Sequence, residues 1–129
     1  MSLAAAPALL IAAPASNSGK TTLTLSLLRA FKNRGVSVAS FKVGPVYIDP
    51  AFHHHASGKP CLNIDPWGMR HSSQNALLSR AGSDADLVIG EGVMGLFDGA
   101  KDGSGSTADL ADAHQIPILL VVQAKGQSS

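Results

Sequence analysis

The sequence has one cysteine, few aromatic residues and almost no net charge. The lone Cys61 excludes an internal disulfide and suits a reducing compartment, so we expect a cytoplasmic protein. No apolar run approaches the roughly 20 residues that a membrane-spanning helix needs, and residues 1–7 lack the basic start of a signal peptide. A formal net charge of +1 predicts neither nucleic acid nor a membrane surface as partner. With 129 residues, the chain is expected to form one domain.

A loop typical of phosphate binding follows the apolar run 8–13. Its small residues let backbone N–H groups surround phosphate oxygens, and a helix N-terminus directly after it adds partial positive charge. A lysine in such a loop reaches the terminal phosphates, and the hydroxyl that follows can ligate Mg²⁺. The strict pattern has glycine where this chain has Pro14. We predict that seven residues bind a nucleoside triphosphate: Ser16, Asn17, Ser18, Gly19, Lys20, Thr21 and Thr22.

Apolar segments and helical periods alternate along the chain. We predict strands at 8–13, 36–43, 86–90 and 118–123, and helices at 20–34, 71–81 and 107–114, with Gly35 and Ser106 or Thr107 as caps. Residues 44–70 show no clean period and are predicted to form a long connection, and a loop of that length in a compact domain is usually either functional or wrongly assigned. This alternation predicts an α/β fold, a parallel sheet flanked by helices. Because no helix follows the last strand, we expect the chain to be part of a longer protein.

Two acidic residues follow predicted strands and are candidate Mg²⁺ ligands. Glu91 ends the third strand, and Asp49 follows the second, whose carboxyl end we expect beside the phosphate loop. The glycines on both sides of Glu91 are expected to keep its backbone open. Each acid has an alternative: Glu91 as a solvated loop residue, and Asp49 as a turn initiator before Pro50.

The consecutive histidines His53, His54 and His55 do not predict a metal site, because neighbouring side chains point in different directions. We expect a polar loop or short helix in which at most one imidazole faces the substrate. Trp67 is predicted to be a packing anchor, and Cys61 a small space-filling thiol.

Several stretches together resemble the N-terminal domain of the cobyrinic acid (hydrogenobyrinic acid) a,c-diamide synthase family. The resemblance runs from about Leu9 to Val122. Besides the phosphate loop, it is carried by residues 41–50, His53, Gly58, residues 63–65, 91–99 and 106–111, of which 91–99 (EGVMGLFDG) is the most specific.

The resemblance implies a P-loop NTPase-like, dethiobiotin synthetase-like sheet and an ATP- and Mg²⁺-dependent ligase of cobalamin biosynthesis. Such enzymes phosphorylate the a and c acetate side chains of cobyrinic or hydrogenobyrinic acid with ATP, and ammonia then displaces the phosphate. The ammonia comes from glutamine hydrolysed in a C-terminal glutaminase domain, which these 129 residues do not include and whose nucleophile Cys61 does not match. The implied partners are therefore the corrinoid and that glutaminase domain, and a homodimer is allowed.

The same resemblance implies roles for individual residues. Lys20, Asp49 and Glu91 are expected to act in catalysis, and Thr21, Asp49 and Glu91 to hold the metal. Five residues are expected to meet the corrinoid: Tyr47, Ile48, His53, Asn63 and Asp65. Two positions depart from the family pattern, because Val46 and Gln123 stand where its members usually carry aspartate. Loss of negative charge near Mg²⁺ predicts weaker metal binding or slower catalysis.

Two other readings remain open. A dethiobiotin synthetase-like carboxylating ligase resembles the chain in its loop and sheet, but residues 44–70 and 91–99 fit it less well. A ParA/MinD-like ATPase switch resembles the loop too, but carries an extra lysine at the position that Ala15 occupies here.

Overall fold

The computed structural model describes residues 6–14, 19–44, 51–93, 95–98 and 105–122. In these ranges strands and helices alternate as an α/β fold requires. In chain order they are β1 (Ala8–Ala12), α1 (Lys20–Asn33), β2 (Val38–Val43), α2 (Ala51–Ser57), β3 (Cys61–Ile64), α3 (His71–Gly82), β4 (Leu87–Gly92), α4 (Thr107–His114) and β5 (Ile118–Leu120). The predicted helices therefore form within one residue of their expected bounds. Among the described residues, no helix is long and apolar enough to cross a membrane.

The described strands form one parallel sheet in the order β3-β2-β4-β1-β5. β4 lies between β1 and β2, with Glu91 in register with Ile11 on one side and with Lys42 on the other. The expectation that β2 ends beside the phosphate loop was therefore wrong. The crossover from β1 to β2 leaves a gap one strand wide, and β4 fills it. The strand that ends next to the loop is β4, which carries Glu91.

The segment 44–70, predicted to be a long connection, contains α2 and β3, of which a short helix at the histidines had been one expectation and the strand had not. β3 is a short edge strand that pairs only with β2, from Ser40 opposite Cys61 to Val43 opposite Ile64. Four residues that include a polar Asn63 are too few to show a period of two. Pairing with β2 forms this strand, and the described sheet has five strands instead of the expected four.

Helices cover both sides of the sheet. We call the side covered by α1 and α2 the α1 face, where Leu28 packs on Ile11, Val38 and Ile89. The opposite side, covered by α3 and α4, is the α3 face, and its apolar cluster includes Phe41 and Leu110. Because side chains alternate along a strand, Leu87, Ile89 and Glu91 of β4 all point to the α1 face.

The predicted start of α4 is confirmed. Ser106 precedes the helix in an extended conformation, and its hydroxyl accepts a hydrogen bond from the backbone N–H of Asp109 at 3.0 Å. The Asp109 carboxylate accepts in return from the backbone N–H of Gly105 at 3.2 Å. Two backbone donors at the helix start are thereby satisfied, which fixes the position of α4 after the glycine-rich segment.

Candidate nucleotide and metal site

Glu91 is a buried acid at the carboxyl end of the central strand β4. Its side chain lies on the α1 face beyond Leu87 and Ile89, and the residue is only 2% exposed. In open α/β sheets, ligands bind at this end of the strands. A carboxylate buried here needs partners, because an unpaired buried charge is strongly destabilising.

Thr21 is the first of these partners. It is the second residue of α1, after Gly19 in the left-handed conformation at the helix start and Lys20 in the first turn. The Thr21 hydroxyl donates a hydrogen bond to Glu91 Oε2 at 2.6 Å. Thr21 itself is exposed at the N-terminus of α1, whereas the Glu91 side chain is 3% exposed. The helix terminus, the hydroxyl and the acid therefore meet at one point.

His53 is the second partner of Glu91. It lies in α2, and its Nε2 is 2.7 Å from Glu91 Oε1. The side chains of both residues are 3% exposed. The imidazole of His53 points at the Glu91 carboxylate, and its contact with the substrate stays a prediction. Of the two expected forms, a polar loop or a short helix, the structure shows the short helix Ala51–Ser57, in which His53 is buried and His54 and His55 are exposed.

Glu91 is ionised in this environment. Burial alone would raise the pKa of Glu91, but the hydrogen bonds from His53 and Thr21 and the charges of His53 and Lys42 outweigh it and lower the pKa below its usual value. Because an ionised carboxylate only accepts hydrogen bonds, the Nε2–H of His53 is the donor.

Lys42 supplies positive charge near this acid, and Lys20 begins the helix that carries Thr21. Lys20 begins α1 and is 5% exposed, and its backbone carbonyl accepts a hydrogen bond from Thr24 Oγ1 at 2.7 Å. Lys42 lies directly opposite Glu91 in the pairing of β2 with β4. Sequence reasoning missed Lys42, although it is the one charged residue in the strand Val38–Val43. That single charge in an otherwise uncharged strand was the available signal.

The donor set fits a hard divalent cation. Glu91 offers a carboxylate and Thr21 a hydroxyl, and Mg²⁺ prefers such oxygen ligands, completing its shell with water and substrate phosphates. Within the described residues, no group of three His, Cys, Asp or Glu side chains could hold a metal by itself. The arrangement therefore suits a cation that arrives with a nucleotide, and not a cation held by protein ligands alone.

The loop after β4 lies against the end of β1. The backbone N–H of Leu96 donates to the carbonyl of Ala13 at 2.7 Å, and the Leu96 carbonyl accepts from Ala108 at 3.0 Å. Through these bonds, the segment that follows Glu91 connects the start of the phosphate loop to α4.

Comparison with known proteins agrees with this geometry. Residues 9–127 match the model of the CobQ/CobB/MinD/ParA nucleotide binding domain. The chain belongs to this family. It is also similar to proteins named hydrogenobyrinate a,c-diamide synthase: it is 58% identical to one from Brucella anthropi over 120 residues, which are 92% of this chain and 28% of the relative.

Two further relatives carry the same name. The Rhizobium meliloti protein is 57% identical over 114 residues, 88% of this chain and 27% of the relative, and the Agrobacterium fabrum protein is 51% identical over 126 residues, 95% of this chain and 29% of the relative. The chain thus spans less than a third of the length of these relatives. What the family membership shows for the chain itself is a nucleotide-binding domain.

Six predicted site residues of this nucleotide-binding domain lie outside the described ranges. They are Ser16, Asn17, Ser18, Tyr47, Ile48 and Asp49. Their assignments to nucleotide, metal and substrate stay predictions. Of the phosphate-loop residues, the structure places Gly19, Lys20, Thr21 and Thr22 at the N-terminus of α1.

Asn63 and Asp65, predicted to meet the corrinoid, make local contacts. With its amide nitrogen turned toward the end of β2, Asn63 donates to the carbonyls of Lys42 at 3.2 Å and Gly44 at 3.0 Å. Asp65 Oδ1 accepts from the backbone N–H of Trp67 at 3.0 Å and closes a turn after β3. Both residues shape this edge of the sheet, and their contact with substrate stays a prediction.

Trp67 and Cys61, each the only residue of its type in the sequence, differ in how far they are buried. Trp67 was wrongly predicted to be a packing anchor: it is 66% exposed, because the turn after β3 directs its side chain outward. Cys61 lies half-buried in β3, and burial raises the pKa of its thiol. A protonated thiol is a poor nucleophile, which agrees with a packing role.

The glycines on both sides of Glu91 make room for side chains on the α3 face. A Cβ added at Gly90 would lie 2.2 Å from Phe41 Cζ, and one at Gly92 would lie 2.8 Å from Thr107 Oγ1. Their function is thus close packing, which the expectation of an open backbone did not include. By admitting Phe41 and the start of α4, they hold the end of β4 that carries Glu91.

Proposed function

We propose that the chain is the N-terminal ATP-binding domain of a longer, cytoplasmic hydrogenobyrinate a,c-diamide synthase. In this proposal, it uses ATP and Mg²⁺ to amidate the a and c acetate side chains of hydrogenobyrinic or cobyrinic acid. The observation that carries it is the buried Glu91, whose carboxylate accepts a hydrogen bond from Thr21 at the N-terminus of α1. The names of the relatives, at 51–58% identity, support the choice of substrate.

The described residues would divide the work of binding. The backbone N–H groups at the start of α1 would bind phosphate oxygens, and Lys20 would neutralise the terminal phosphates. Thr21 and Glu91 would hold the cation. When bound, Mg²⁺ supplies positive charge that stabilises the phosphoryl group during its transfer. Burial excludes water around Glu91 and strengthens these interactions.

The reaction would follow two displacements. An oxygen of the substrate carboxylate attacks the γ-phosphorus of ATP, the bond to the β,γ-bridging oxygen breaks, and ADP leaves. Ammonia then attacks the acyl carbon and loses a proton, and inorganic phosphate leaves with the electron pair of the broken C–O bond. The ammonia would come from glutamine, hydrolysed in a glutaminase domain elsewhere in the longer protein.

The test is the magnesium dependence of amidation in the complete protein, with ammonia as nitrogen donor and the variant Glu91→Gln. Gln keeps the size of Glu91 and one acceptor oxygen but removes the charge that Mg²⁺ prefers. The half-saturating Mg²⁺ concentration should therefore rise sharply. Asp86→Asn is the matched control, because Asp86 is an exposed acid just before the other end of β4 and bonds the backbone N–H of Ser37.

Two results would count against this proposal. A magnesium titration of Glu91→Gln that matches the wild type would make Glu91 a structural acid only. ATP hydrolysis stimulated by DNA or membranes, without any response to a corrinoid, would favour a switch ATPase in place of a ligase.

A further inference from the structure

One buried polar contact has no part in the proposed chemistry: the hydrogen bond between His53 and Glu91. Its two side chains are 3% exposed and 2.7 Å apart, and 38 residues separate them in the sequence. The neighbouring His54 and His55 are exposed. A buried imidazole aimed at a carboxylate requires α2 to sit at a defined place on the α1 face.

The contact divides the two oxygens of Glu91 between different tasks. Oε1 accepts from His53 and faces the interior, while Oε2 accepts from Thr21 on the exposed side. With Oε1 held, rotation of the carboxylate about its Cγ–Cδ bond is blocked. Oε2 then stays next to the Thr21 hydroxyl, where the proposed cation would bind. In metal sites, hydrogen bonds of this kind orient the ligating groups.

The same contact connects the acid to α2, of which His53 is the third residue. Ala56 packs α2 against the apolar cluster of α1, and the Ser57 hydroxyl donates to the carbonyl of His53 at 3.0 Å. Together with these anchors, His53 holds the start of α2 next to Glu91.

We propose that His53 is a positioning residue, which orients Glu91 so that Oε2 faces the cation and which ties α2 to the metal carboxylate. The inference rests on the proposed function. It goes beyond it by giving the first turn of α2 a part in metal affinity, which His53 exerts through its hydrogen bond to Glu91.

The experiment compares His53→Gln, His53→Asn and His53→Leu in the complete protein, with His54→Gln as an exposed control. Gln places an amide N–H at about the distance of Nε2 from the backbone, whereas Asn is one methylene too short and Leu has no donor. Calorimetry would measure binding of ATP at a series of Mg²⁺ concentrations. Thermal unfolding without metal would report on the fold.

We expect His53→Leu and His53→Asn to raise the half-saturating Mg²⁺ concentration by about 10- to 100-fold, the range typical for loss of a ligand-orienting hydrogen bond. The half-saturating Mg²⁺ concentrations of His53→Gln and of the control His54→Gln should stay close to that of the wild type. Should the Leu variant fail to fold, the comparison of Gln with Asn decides, because both keep a polar side chain at the same position.

Two outcomes would overturn the inference while leaving the proposed function intact. One is a wild-type magnesium dependence in all three His53 variants. The other is a rise in the half-saturating Mg²⁺ concentration of His53→Gln as large as in His53→Asn and His53→Leu. That result would make the volume of the side chain, and not its hydrogen bond, the important property. If the wild type does not bind ATP in the presence of Mg²⁺, the proposed function itself fails and the inference fails with it.

Discussion

The two faces of the sheet bury polar groups of different kinds. On the α1 face, the charged Glu91 is bonded to Thr21 and His53 near the carboxyl ends of the strands. On the α3 face, the uncharged amide of Gln74 in α3 is fully buried. Its Oε1 lies 2.9 Å from His114 Nε2 in α4, and its Nε2 donates a hydrogen bond to the carbonyl of Met69 at 3.0 Å.

The difference separates function from stability. Glu91 carries a charge, contacts the exposed Thr21 and has oxygen lone pairs that a cation can use. The Gln74 amide, by contrast, has partners within the protein for both its oxygen and its nitrogen, and joins two helices. We therefore expect substitutions on the α1 face to change nucleotide and metal chemistry, and those on the α3 face to change the free energy of unfolding.

The largest expected effect is that of Lys20→Ala on the α1 face. Removing a positive charge from the phosphates should lower the rate of ATP turnover by a factor of roughly 10²–10³ or more. The fold should survive, because Lys20 belongs to neither apolar cluster. Steady-state ATPase kinetics and thermal unfolding measure the two quantities, with the exposed Arg29→Ala of the same helix as control. Unchanged turnover would remove Lys20 from the site.

On the α3 face, Gly90→Ala should be the most destabilising of these substitutions. The new methyl group would lie 2.2 Å from the Phe41 ring, and overpacking of a core typically costs about 1–3 kcal/mol. Urea denaturation measures the loss. The double variant Gly90→Ala, Phe41→Leu should recover part of it by making room. A single variant as stable as the wild type would show that the ring moves away without cost.

Gln74→Leu should also destabilise the protein, without changing the magnesium titration. It leaves the Met69 carbonyl and the His114 ring without their amide partner, at a cost of about 1–3 kcal/mol for buried groups. Asn75→Leu is the matched control, since Asn75 is the neighbouring amide and is exposed. A shift in the magnesium dependence of Gln74→Leu would break the separation between the two faces.

The smallest expected effect is the dependence of stability on pH, which should differ between the faces. Burial and the neighbouring charge of His71 lower the pKa of His114 below its usual 6.5. The unfolded chain therefore binds this proton more tightly, so stability falls as pH drops from about 6.5 through the lower folded value. Glu91, whose pKa lies below its usual 4.5, supplies stability that is lost only in more acidic solution.

Urea denaturation across pH resolves these two windows. His114→Gln should flatten the slope that begins near pH 6.5, and Glu91→Gln the slope below pH 4.5. If His114→Gln left the upper slope unchanged, another group would have to titrate there.

Much of the site could be predicted because its residues follow elements with strong local signals. The apolar run before Gly19 and the helical period after Lys20 indicated the phosphate loop. The four uncharged residues between Asp86 and Glu91 placed that acid at a strand end. Those signals depend on neighbouring residues only. The partners of Glu91 could not be predicted in the same way, because 70 residues separate it from Thr21 and 38 from His53.

The sequence by itself determined the alternation of strands and helices, the parallel sheet, the start of α4 at Ser106 and the position of Glu91 at a strand end. Periodicity and capping are local properties, so they are readable in a single chain. Only the tertiary structure decided that β4 separates β1 from β2, that Cys61–Ile64 becomes a strand, and that Trp67 points outward. It also decided that His53 turns inward to Glu91. These features depend on which surfaces pack together, and packing joins residues that are far apart in the chain.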